Sequence, residues 1–85
     1  MGATPRWRVQ LRQEHSVRAQ YSVIRCELRV YVDEVRIALI EDSRLSWDEG
    51  DFDYEFQIED AKCKLIVGYK RAELWVAGVL QPQLL

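Results

Sequence analysis

The alternation in residues 52–59 constrains this chain more than any other feature. Phe52, Tyr54, Phe56 and Ile58 interleave with Asp53, Glu55, Gln57 and Glu59, and a period of two marks a strand with one face buried and the other in water. The next run repeats the pattern, with Cys63, Leu65 and Val67 on one face and Lys62 and Lys64 on the other. A two-residue turn at Asp60 and Ala61 sets Ile58 opposite Cys63, Phe56 opposite Leu65 and Tyr54 opposite Val67 on the inside, and Glu59 opposite Lys62 on the outside. A slip of one residue would carry the whole apolar face into water, so the parity of the pairing is strongly specified. Phe56 is the expected core anchor, and its truncation to Ala is expected to cost about 3 to 5 kcal/mol.

The same construction recurs along the chain. Cys26, Leu28, Val30 and Val32 form one run, Val35, Ile37 and Leu39 another, and a turn at Asp33 and Glu34 is expected to bring all seven to one face with Tyr31 facing Arg36 outside. At the start, Trp7, Val9 and Leu11 alternate with Arg6, Arg8, Gln10 and Arg12, and Val17, Ala19, Tyr21 and Val23 alternate with Arg18, Gln20 and Ser22. A parity switch between Val23 and Cys26 marks a turn or bulge. Leu74 and Val76, then Ala77 and Gly78, then Val79 and Leu80 read as a third tight hairpin. Only this turn has its Gly, so either Glu34 and Ala61 accept left-handed backbone at a cost of about 1 kcal/mol each or the loops are longer than two residues. Around residues 40–51 the alternation fails, and Leu45 and Trp47 read as a short strand or a plug. No stretch has a helical period. The fold class is all-β: an antiparallel meander of six to eight short strands forming a small sandwich or barrel.

A chain of 85 residues holds one domain, assigned here to residues 1–85 with 1–5 and 82–85 as flexible ends. Met1 to Pro5 offers no basic, apolar leader, and no run approaches the roughly 18 apolar residues of a membrane span. A cytoplasmic protein that does not enter membranes is expected. The two cysteines, Cys26 and Cys63, read as reduced thiols, since secreted domains this small carry several disulfides. One His and two Cys cannot complete a four-ligand zinc site, and no metal or cofactor is expected. Twelve Lys plus Arg against fourteen Asp plus Glu give a net charge of -2, which argues against a dedicated nucleic-acid binder. The charge is uneven, with seven Arg against four acids in residues 1–36 and five basic groups against ten acids in residues 37–85. That asymmetry reads as two halves folded against each other with complementary outer faces, in preference to a head-to-tail contact between molecules.

The residues that could carry chemistry have simpler structural explanations. His15 and Ser16 are neighbours on a strand and point to opposite faces, so they make no nucleophile and base pair, and the chain is read as a non-enzyme. Cys63 sits between Lys62 and Lys64 in sequence, but those lysines leave on the other face, so a buried, inert thiol is expected there and at Cys26. Asp48, Glu49, Asp51 and Asp53 around Gly50 lack the order of a calcium loop and read as a solvated acidic turn. Arg6, Arg8 and Arg12 line the outside of the first strand, with Arg18, Arg25 and Arg29 extending the basic area; they form the candidate nucleic-acid surface of the alternative reading, a small nucleic-acid or ligand-binding barrel. Tyr31, Tyr69 and Trp75 have outward or unassigned parity and mark a candidate contact surface. The main protein-interaction candidates are Trp75, Val76, Val79, Leu80 and Tyr31, with the contact placed at residues 73–80 as an edge strand able to dock a partner or a second copy.

Trp7, Val9 and Leu11, then His15, then Val30, Tyr31, Val32 and Asp33, then Phe56 to Val67 together resemble the repeat domain of the Fas apoptosis inhibitory molecule family. That family has an opening Trp strand, a His a few residues on, a Val-Tyr-Val-Asp-Gly hairpin and a later Phe strand leading into a Lys-containing one. The likeness extends over most of residues 7–80, with Glu34 standing where the family has Gly. It implies an all-β sandwich used as a non-catalytic module in a soluble cytoplasmic protein, in a family linked to resistance to cell death and to protein aggregation. The expected function is protein interaction.

Overall fold

The computed structural model describes residues 4–22, 24–42, 45, 51–68 and 71–84. They form β1 (Arg6–Gln10), β2 (Glu14–Ser22), β3 (Glu27–Val32), β4 (Val35–Glu41), β5 (Phe52–Ile58), β6 (Ala61–Gly68), β7 (Arg71–Val76), β8 (Val79–Gln81) and β9 (Gln83–Leu84). Two antiparallel sheets result, sheet A in the order β4-β3-β2-β1-β9 and sheet B in the order β5-β6-β7-β8. The chain meanders through each sheet and then returns, because β9 crosses back from sheet B to pair with β1, Arg6 opposite Leu84 and Trp7 opposite Gln83. The C-terminus expected to be loose therefore contributes a strand at residues 83–84. At the other end the Pro5 carbonyl accepts the Ala19 amide at 3.1 Å.

The two sheets face each other across one core, and among the described residues they form no closed barrel. Sheet A contributes Trp7, Val9, Val17, Ala19, Tyr21, Leu28 and Val30, and sheet B contributes Phe52, Ile58, Cys63, Leu65, Val67, Leu74 and Val76. These are the inward parities of the alternating runs. Leu45 is buried against the same core, as a plug should be; Trp47 lies outside the described residues.

Three hairpin corners set the registers. Asp33 and Glu34 both take positive φ, 52° and 66°, and Ala77 and Gly78 take 51° and 78°, the pattern of the two-residue turns that match strand twist. They bring Val32 opposite Val35 and Val76 opposite Val79. The β5–β6 corner differs from expectation: Glu59, at φ 53°, occupies the turn with Asp60, and Ala61 stays in the strand. Phe56 therefore faces Cys63, Tyr54 faces Leu65 and Phe52 faces Val67, while Gln57 and not Glu59 stands opposite Lys62. Parity survives because the shift is two residues. The cause lies in the Glu59 side chain, which is held at the corner by bonds described below.

The second correction concerns β4. Pairing with β3 shifts between Val30 and Tyr31, so that Val30 faces Ala38 while Tyr31 faces Arg36, and Ile37 is the extra residue. One inserted residue reverses the parity of everything beyond it. Ala38 and Ile40 consequently pack toward the core, and Ile37 and Leu39, expected inside with Val35, are exposed.

Candidate functional site

The four sheet edges are unequal. β9 has two residues, β8 has three and stops at Pro82, and β5 presents Asp53, Glu55 and Gln57 to solvent. Short length, proline and repeated charge are the devices that prevent unwanted strand pairing. β4 has seven residues and no proline, and between Val35 and Ile40 its one charge is Arg36. Val35, Ile37 and Leu39 on it are 64 %, 43 % and 42 % exposed. Among the described residues, the bulge at Ile37 and the charge of Arg36 are what guard this edge.

The candidate contact at residues 73–80 proves to be a hairpin, with β7 in the interior of sheet B and β8 at its edge. Val76 is 5 % exposed and belongs to the core, which removes it as a contact residue. Trp75 lies opposite Leu80 and Lys64 on the outer face, beside a shallow depression lined by Lys62, Lys64, Ile66 and Arg71. Its indole N–H donates to Glu73 Oε1 at 3.1 Å, and the same carboxylate receives Arg71. Arg71, and after it the indole, hold the Glu73 carboxyl below its usual range. Val79, paired with Val76, is on the opposite face from Trp75 and is exposed at the rim. Tyr69 lies outside the described residues.

On the outer face of sheet A, cross-strand pairing aligns Arg6, Arg18, Tyr31 and Arg36 in one row. The Arg18 guanidinium covers the Tyr31 ring at 4.0 Å, so Tyr31 is not a free aromatic. Arg18 also reaches Glu34 at 3.3 Å, Arg8 reaches Glu14 at 3.5 Å and Arg29 reaches Glu27 at 3.8 Å. Among the described residues no carboxylate pairs with Arg6 or Arg36. Arg12 does not share this face; it lies in the β1–β2 turn and binds Asp60 at 2.9 Å.

His15 ends its row of inward residues at one end of the sandwich and is bonded on both sides. Nδ1 lies 2.7 Å from Asp33 Oδ2 and Nε2 lies 2.8 Å from Glu59 Oε2. Asp33 Oδ1 accepts the Ser16 amide at 3.0 Å, and Glu59 accepts the Arg12 and Gln13 amides at 3.1 Å each. Asp33, and next Glu59, raise the imidazole above its ordinary value of 6.5. His15 in turn holds both carboxyls low. Ser16 takes part through its backbone amide. Sequence reading missed this cluster because its members lie 18 and 44 positions apart; the available signal was an acid at the corner of each neighbouring hairpin.

Cys63 is buried with its thiol pushed up by desolvation, and Cys63 and Cys26 are not joined in a disulfide. Of the acidic group, residues 48–50 lie outside the described residues, Asp51 pairs with Arg71, and Asp53 stands 4.0 Å from Lys64. Among the described residues no three His, Cys, Asp or Glu side chains group to hold a metal, and no helix is long and apolar enough to cross a membrane. Compared with protein-family models, curated proteins and solved structures, the chain matches none.

Proposed function

We propose that this chain is a non-catalytic protein-interaction module that accepts an extended segment of a partner along β4. The observation that carries the reading is a seven-residue edge strand, unpaired on its outer side among the described residues, with three exposed aliphatic residues and one charge over its first six positions. Strand addition draws affinity from backbone hydrogen bonds and specificity from alternating side chains. The resemblance to the Fas apoptosis inhibitory molecule family supports the same class of function, in the cytoplasm. Trp75, Leu80 and Val79 offer a smaller second contact at the β7–β8 hairpin. Photo-crosslinking tests the reading: Leu39 replaced by benzoylphenylalanine is expected to yield protein adducts in cells, and the same residue at Gln57 on the acid-guarded β5 is expected to yield few. Equal yields from the two positions would overturn it.

The row of Arg6, Arg18, Tyr31 and Arg36 favours a second reading, a surface for single-stranded nucleic acid. Binding of an oligonucleotide that weakens steeply with salt and is lost on Arg6→Glu with Arg36→Glu would support it.

A further inference from the structure

The ring of His15 has a carboxylate oxygen within hydrogen-bond distance of each nitrogen. A neutral imidazole carries one N–H and one lone pair, so it can satisfy one of these carboxylates while directing its lone pair at the other. Two charge-assisted bonds require the imidazolium, and the local charge is then one cation between two anions. The carboxylates belong to different sheets. Asp33 is at the β3–β4 corner of sheet A, and Glu59 is at the β5–β6 corner of sheet B. Glu59 also receives the Arg12 and Gln13 amides, and its neighbour Asp60 receives the Arg12 guanidinium. These bonds tie the β5–β6 corner of sheet B to the β1–β2 turn of sheet A.

We propose that His15, Asp33 and Glu59 form a pH-operated clasp between the two sheets, closed while the imidazole is protonated and released when it loses its proton. The other charged groups around the clasp leave this logic intact. From the β1–β2 turn comes Arg12, which is neutralised by Asp60, from the first position of β2 comes Glu14, which is paired with Arg8, and from the β3–β4 corner comes Glu34, which is paired with Arg18. The imidazole side chain is 12 % exposed, so water can replace little of what a lost N–H donated. The neutral ring keeps one N–H, which the shorter contact, 2.7 Å against 2.8 Å, assigns to Asp33, and turns its lone pair on Glu59, so release frees the Glu59 carboxylate from the ring and loosens its hold on the amides of residues 12 and 13. The β5–β6 corner then moves independently of the β1–β2 turn, while the ladders within each sheet remain paired.

The chain has one histidine, so its ring signal in proton NMR can be followed without ambiguity. The expected midpoint lies above 6.5, with amide exchange at Arg12 and Gln13 accelerating across it by about tenfold relative to Val30 at the centre of sheet A. Glu59→Gln removes one of the two anions and is expected to lower the midpoint. His15→Gln is expected to hold the Arg12 and Gln13 amides in their fast-exchanging state at every pH. A midpoint at or below 6.5, an unmoved midpoint in Glu59→Gln, or flat relative exchange across the parent's midpoint would each overturn the clasp. If His15→Gln does not fold, the parent and Glu59→Gln titrations still decide the question.

Discussion

Arg18 lies across the face of Tyr31, its guanidinium carbon 4.0 Å from the ring centroid, in neighbouring strands whose Cα atoms are directly paired. A cation over an aromatic ring contributes about 0.5 to 1 kcal/mol at a partly exposed site. Tyr31→Leu is therefore expected to lower stability by about that amount, as is Arg18→Ala by somewhat more through lost packing of its stem. Urea denaturation of both single variants and the double variant checks this. The double variant should lose less than the sum of the singles.

The core of sheet B centres on Leu65 and not on Phe56. Leu65 is fully buried opposite Tyr54 and Leu74 in the middle of β6, whereas Phe56 is half-buried on an edge strand and stacks with Tyr54 at 5.7 Å. Leu65→Ala is expected to cost about 3 to 5 kcal/mol, because a cavity in the centre of a sandwich collapses poorly, and Phe56→Ala less, since neighbours and water can close over an edge. Thermal or urea melts of the two variants give the order. A larger loss for Phe56→Ala would contradict it.

Stability should pass through a maximum in pH. Asp33 and Glu59 titrate lower in the folded chain than in the unfolded one, chiefly because His15 bonds them. The stabilisation they contribute is present above the unfolded carboxyl values of 3.8 and 4.5 and is lost as pH falls through the folded ones. His15 titrates higher when folded, so its stabilisation is complete below 6.5 and is lost as pH rises through the folded value. Urea midpoints measured from pH 3 to 9 should therefore rise and then fall, and His15→Gln should flatten both limbs.

The strand pattern was legible because alternation is local, and so was the parity of β5 and β6. The two-residue error in their register came from assigning the corner to Asp60 and Ala61. Local preference does not distinguish Glu59 from Ala61 at a left-handed position; a histidine 44 residues earlier does. The bulge at Ile37 was illegible for a related reason. Val35, Ile37 and Leu39 fit one parity as well as Ala38 and Ile40 fit the other, and the choice depends on what faces them across β3. Long-range partners decided both cases, and single-sequence periodicity carries no information on them.

The two thiols should differ in reactivity. Cys63 is buried beneath the sheet with its ionisation suppressed by desolvation, and Cys26 is half-buried beside the start of β3. Thiolate fraction and access together set the rate of disulfide exchange. An aromatic disulfide reagent is expected to modify one thiol readily, identified as Cys26 by mass mapping, and to reach Cys63 only under unfolding conditions. Equal rates under native conditions would place Cys63 nearer solvent than the core cluster does.

The exposed edge at β4 makes a prediction separate from the identity of any partner. The six residues from Val35 to Ile40 combine β-branched and aliphatic side chains, no proline and one charge, the composition of segments that pair with other chains. Lysine at an edge discourages such pairing because addition of a strand would have to desolvate it. Leu39 is 42 % exposed and stands opposite Arg29 on the outer face, so Leu39→Lys loses little burial, and its effect on the monomer is expected within about 0.5 kcal/mol. Self-association at high concentration, read by light scattering, and turbidity on heating should both fall in this variant. Trp75→Lys at the other candidate surface is the comparison, and it also breaks the indole bond to Glu73. Association reduced by Leu39→Lys but not by Trp75→Lys assigns the contact to β4, the opposite pattern assigns it to the β7–β8 hairpin, and a Leu39→Lys protein that associates like its parent removes β4 as a sticky edge.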